Sequence, residues 1–95
     1  MDDDGLIARV AAGDDGALRE LFSLHAPWLA ARLRVVLPAV DVEDVLQETF
    51  LGVWRGASGY RPEGRPGGWL WGIARRQAAL FLRRRGPGEI AQPPR

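Results

Sequence analysis

Apolar residues recur at spacings of three and four in four separate stretches of this chain, and no stretch alternates in steps of two. The first spacing marks a helix with one apolar side, whereas alternation marks a half-buried strand. That regularity confines the 95 residues to an all-α fold. A chain of this length makes one domain with a small core, so the expected architecture is a compact four-helix bundle.

The four stretches have recognisable ends. The first runs from about Asp3 to Ala12 with Leu6, Ile7 and Val10 on its apolar face, and Gly13 suits its C-terminal stop. The second opens on Asp14 or Asp15 as N-cap and carries Leu18, Leu21, Phe22, His25, Leu29, Leu33 and Val36 on one face. Pro27 lies inside it and predicts a kink or short break, because proline donates no backbone hydrogen bond. The third is predicted to start at Asp41 as cap and to stop at Gly56. A Gly/Pro-rich loop, residues 56–68, precedes the fourth helix, predicted from about Gly67 to Arg85 with Gly86-Pro87-Gly88 as its end. A loop that long in so small a domain is uncommon and is usually functional or disordered. The expected organisation is a helical domain over 1–86 and the start of an interdomain linker over 87–95.

Charge is divided between the halves. Residues 1–50 hold ten acids and four arginines; residues 51–95 hold nine arginines and two acids. Such polarity suggests two partners of opposite character, one of them nucleic acid. On the third helix Val42, Val45, Leu46, Thr49, Phe50 and Val53 share the core side. Asp44, Glu48, Leu51 and Arg55 share the other, with Gln47 and Trp54 on the flank. An apolar anchor in a charged rim has the composition of a docking patch.

On the fourth helix Trp69, Leu70, Ile73, Ala74, Gln77, Leu80 and Phe81 mark the core side. Trp71, Arg75, Ala78 and Leu82 lie opposite, with Arg76, Ala79 and Arg83 on the shoulder. Arginines separated by alanines let a helix approach a polyanion, and Trp71 suits stacking on a base. Tyr60, Arg61 and Arg65 add to this surface from the loop.

Several chemistries lack their residues. Without cysteine and with a single histidine, the chain offers no thiolate zinc site and no histidine cluster, so no metal or cofactor is expected. Lysine is absent, which removes the phosphate-binding loop that ends in lysine, and Ser23 and Ser58 sit in no activating motif. No enzymatic activity is expected. His25 reads as a packed residue at the core edge, and Asp2-Asp3-Asp4 as capping and solubilising. No apolar run approaches the roughly 18 residues of a membrane span, and the acidic start is unlike a signal peptide, so the expected location is cytoplasmic.

Asp41 to Arg55 resembles the region 2.2 segment of the extracytoplasmic-function sigma factors. Trp69 to Arg76, with Leu80 to Arg85, resembles their region 2.3 to 2.4 segment, and Asp15 to Phe22 with His25-Ala26-Pro27 resembles the helix before them. The likeness covers about residues 3 to 86. It implies that Asp44, Gln47, Glu48 and Leu51, with Trp54 beside them, bind the β′ clamp helices of core RNA polymerase. The loop from about Pro62 to Trp69 would hold a base flipped from the promoter −10 element. Tyr60, Arg61, Arg65, Trp71, Arg75, Arg76, Ala79 and Arg83 would contact that element, chiefly as single-stranded non-template DNA. An anti-sigma factor would be a further partner. The family often has asparagine at the position of Arg76; arginine moves the expected contact towards phosphate or guanine. The domain that reads the −35 element is missing, so the chain reads as an N-terminal domain cut at its linker. A small helical adaptor or anti-sigma-binding module, and a duplex-binding repressor, stay open as alternatives.

Overall fold

Each helix end follows from a side chain or a backbone need. The computed structural model describes residues 2–62 and 64–91, with side chains as far as Arg84. Helix α1 spans Asp3–Ala11, and the Asp2 carboxylate caps it by accepting from the Asp4 amide at 3.1 Å. It stops in a left-handed turn at Gly13, whose φ of +94° suits glycine. There the Gly13 amide bonds the Val10 carbonyl at 2.9 Å and the Asp14 amide bonds the Arg9 carbonyl at 3.0 Å, the paired closure of a Schellman end.

Asp14 then caps α2, Asp15–Val36, by accepting from the Gly16 and Ala17 amides at 3.0 and 3.2 Å. Its second oxygen meets the Arg9 guanidinium at 2.9 Å. One aspartate thus joins the end of α1 to the start of α2. The Arg9 hydrogen bond first, then that from the Ala17 amide, hold its carboxyl below the ordinary value of 3.8.

The sequence expectations need four corrections here. Pro27 does not break α2, which is continuous across it. Pro27 and Ser23, whose carbonyl loses its helical donor, are both exposed, so water can take the freed bond. Val36 does not join the core; it is 52% exposed, one turn beyond the last core residue of α2, Leu33. Asp41 does not cap α3, which spans Ala39–Gly56 with Pro38 in the cap position. Proline's fixed φ and an extended ψ of 143° let the helix begin earlier, and Asp41 is buried in its first turn. A 3-10 turn, Ala57–Gly59, follows, then the loop, then α4, Pro66–Ala91. Thus α4 passes through Gly86-Pro87-Gly88 instead of ending there. Pro87 withholds one hydrogen bond, from the carbonyl of exposed Arg83, and the backbone stays helical. Residues 92–95 of the expected linker lie outside the described residues.

The core is one cluster with every helix represented. Leu6, Ile7 and Val10 meet Leu21, Leu29 and Leu33, and the six-residue α3 stripe named above is buried throughout. Thr49 is tolerated there because its hydroxyl donates to the Val45 carbonyl at 2.7 Å. Phe22 and Phe50 meet edge to face, with centroids 5.0 Å apart. Helix α4 packs against both α3 and α2. Two sides of it are therefore covered, which is why Ala78, expected on the outer side, is buried with Leu70 and Ala74. Gly52 lets α3 and α4 come together, since a Cβ there would stand 3.0 Å from Ile73 Cγ2.

Candidate nucleic-acid interface and docking face

On α3 the docking residues stand as the helical spacing predicts. Asp44, Gln47 and Glu48 are exposed, and Leu51 and Trp54 expose 43% and 38% of their surface. Between this face and α4 lies a cavity of about 240 Å³ into which Asp44 and Glu48 project from one wall and Arg84 from the other.

On α4 Arg75, Arg76, Ala79 and Arg83 are exposed. Among the described residues none of these arginines has an ion-pair partner; the three bridges are Arg9–Asp14, Arg19–Asp15 and His25–Asp3. Unpaired guanidinium groups along one face have their donors available for phosphate.

The loop side is built by parts of the chain far apart in sequence. Arg61 and Arg65 are exposed. Tyr60 is half-buried, and its hydroxyl donates to Asp4 Oδ1 at 2.6 Å. Its ring leans on Trp69 with centroids 4.9 Å apart. Burial first, and then the Asp4 hydrogen bond, push the phenol up to about 12. Trp69, placed on the core side by its spacing, is half-buried against this ring.

The neighbouring support is a chain of three side chains. The Trp28 indole N–H donates to His25 Nδ1 at 2.8 Å, which leaves the proton of the neutral ring on Nε2, facing Asp3 Oδ2 at 3.1 Å. The His25 side chain is 13% exposed, as a core-edge residue should be. A Cβ at Gly67 would lie 3.9 Å from the Trp28 ring, so Trp28 backs the start of α4. Arg32 sits over the Trp71 ring, 4.9 Å from its centroid, and 5.9 Å from that of Trp28. Trp71 is thus half-buried with a cation against it, rather than the open stacking platform the helical wheel suggests.

Sequence reasoning missed Asp3, Asp4, Trp28 and Arg32. Only Asp2 of the acidic start acts as a cap; Asp3 and Asp4 hold His25 and Tyr60. The spacing of His25, Trp28 and Arg32 puts them along one side of α2, a signal that was there to read. The partners of Asp3 and Asp4, His25 and Tyr60, lie 22 and 56 residues away and leave no local mark.

Residues 21–87 match the sigma-70 region 2 family. The chain is 33% identical over 69 residues to the RNA polymerase sigma factor CnrH of Cupriavidus metallidurans, covering 72% of this chain and 36% of the relative. It is 31% identical over 86 residues to the ECF RNA polymerase sigma-E factor of Haemophilus influenzae, covering 90% and 46%. The chain therefore spans less than half the length of these curated relatives. The fold is similar to the NMR structure of an engineered region 2 of sigmaE in complex with GTAAAA, with a TM-score of 0.84, 29% identity and 92% of each chain covered. The helical fold, the acidic face of α3 and the arginine face of α4 agree with these likenesses: the chain belongs to the sigma-70 region 2 family and is a region 2 domain of the extracytoplasmic-function type.

Proposed function

We propose that this domain docks on core RNA polymerase through α3 and recognises and opens the promoter −10 element through α4 and the loop before it. The observation that carries the reading is the separation of two chemically opposed surfaces on adjacent helices. Leu51 in a rim of Asp44, Gln47 and Glu48 offers an apolar anchor to the β′ clamp helices, with Trp54 beside it. Arg75, Arg76 and Arg83, unpaired among the described residues, offer donors to a phosphate chain. The similar engineered region 2 of sigmaE was solved in complex with GTAAAA.

In this reading the domain does no covalent chemistry. It shifts the duplex towards the open form by holding a base whose unstacking costs a few kcal/mol, and the polymerase carries out synthesis. The loop between Tyr60 and the start of α4 at Pro66 receives the flipped base, with Arg61 and Arg65 near its phosphates. Arg76, on the exposed side of α4, favours phosphate or guanine. An anti-sigma factor that covers either surface would silence the domain.

The test is a titration of the chain against short single strands varied one base at a time, with a duplex of the same sequence and a β′ clamp fragment beside them. Preference for the non-template single strand and capture by the clamp fragment are the expected results. Preference for duplex would point to a repressor-like mode, and binding to neither nucleic acid would point to an adaptor.

A further inference from the structure

A groove of about 240 Å³ runs between the end of α2 and α4, lined by Val36, Trp71, Arg75, Ala78, Ala79 and Leu82. Its floor is apolar, and no acidic side chain lines it. Val36 is half exposed at its edge. Arg32 lies one turn before Val36 on the same side of α2, and its guanidinium rests on the ring of Trp71. Arg75 lies one turn after Trp71 on α4. Arg32 thus rests on this indole while Arg75 lines the groove, and neither arginine has an ion-pair partner among the described residues.

We propose that this groove is a second nucleotide subsite, in which an unstacked base of single-stranded DNA lies on the apolar floor while its phosphate is held between Arg32 of α2 and Arg75 of α4. The proposal rests on the DNA-binding reading above and adds a wall to it from a helix that reading does not use.

Charge and shape choose the occupant. Arg75 in the groove lining and Arg32 on the ring of its Trp71, both without ion-pair partners among the described residues, ask for an anion, and the apolar lining asks for an apolar face; a nucleotide supplies both. The groove is also continuous, through Arg75 and Ala79, with the arginine face of α4. Arg32 is held ready before any ligand arrives. Trp28, fixed by His25 and Asp3, and Trp71 bracket its guanidinium, so less side-chain freedom is lost when phosphate binds. A guanidinium bracketed by two rings still has its N–H edge available for phosphate.

The test uses the whole chain with the hexadeoxynucleotide GTAAAA as probe, read by fluorescence anisotropy and by the four indole N–H resonances. Val36→Glu puts a carboxylate into the groove from an exposed position, and Arg32→Gln removes the cation. Both should weaken binding by about fivefold to a hundredfold, the range of one stacked base. Arg32→Gln should also lower the salt slope by about 0.7, as expected for one phosphate on a single strand. The Trp71 indole signal should move in the unmodified chain as strand is added. If Arg32→Gln fails to keep its helical circular dichroism, Val36→Glu decides alone.

Strand binding by the unmodified chain that neither variant changes, with a stationary Trp71 signal, would overturn the subsite and leave the broader reading intact. No binding by the unmodified chain at low salt would overturn both. Loss of clamp-fragment binding in Val36→Glu, with strand binding kept, would show that the groove takes a protein and would also overturn the proposal.

Discussion

The acidic face of α3 and the arginine side of the molecule are assembled in different ways. The α3 face needs one helix: Asp44, Gln47, Glu48, Leu51 and Trp54 lie within 11 residues, and their exposure follows from the period of that helix alone. The arginine side draws on α4, the loop, α2 and α1, because Tyr60 hangs from Asp4 and Arg32 lies against Trp71. A single-helix surface survives small changes elsewhere in the bundle. A surface made from four segments depends on contacts that are themselves adjustable.

The largest test of this contrast is charge reversal. Glu48→Arg or Leu51→Asp should abolish capture by the clamp fragment and leave single-strand binding unchanged. Arg75→Glu or Arg83→Glu should do the opposite. These positions are exposed, so their effect on folding should stay within about 0.5 kcal/mol. Pull-down and anisotropy on the same four proteins separate the two activities; a variant that lost both while still helical would show that the faces are not independent. Salt sharpens the same point. Strand affinity should fall steeply between low and physiological salt, with a logarithmic slope of about −0.7 for each phosphate neutralised.

Next in size is the support of the loop. Trp69→Ala should lower stability by less than the about 3–5 kcal/mol of a fully buried aromatic, since half-burial against Tyr60 leaves less to lose. Denaturant midpoints measure it, and an unchanged midpoint would show that Trp69 belongs to the loop surface alone. Smaller again is the tie between α1 and the loop. Tyr60→Phe and Asp4→Asn should each cost about 1 kcal/mol. Their double mutant should cost less than the sum, because both remove one hydrogen bond. No matching loss should appear in clamp binding, which the proposed function assigns to the α3 face alone.

Alkali gives the finest test. The Tyr60 phenol is pushed above its ordinary value of 10, to about 12, so the folded state favours the protonated form. Its contribution is fully present below pH 10 and is lost as pH rises from 10 through 12. Stability of the native chain should decline over that window, and the decline should be shallower in Tyr60→Phe. Equal slopes would show that titration of the Tyr60 phenol does not couple to folding.

What the sequence disclosed follows the same division. The α3 stripe was legible to the residue, as was Gly13, and the α2 cap was narrowed to Asp14 or Asp15, because period, a left-handed turn and a cap are local requirements. Asp41 misled because an aspartate before an apolar run looks like a cap, while Pro38 had already set the backbone. Ala78 misled because a helical wheel assumes one covered side, and α4 has two. The carboxylates of Asp3 and Asp4 could not be assigned at all. Their partners are fixed by how α1 lies across the bundle, which no spacing encodes.

The narrow contact at Gly52 sets a mechanical relation between the two surfaces. A methyl group there would press on Ile73 at 3.0 Å, so the backbone of α3 lies close against a side chain of α4. The crossing of the two helices is fixed when the bundle assembles. In the proposed function a partner that grasps α3 therefore holds α4 at a preset angle, like two jaws cast on one handle, and the strand would be offered to the enzyme in one orientation only.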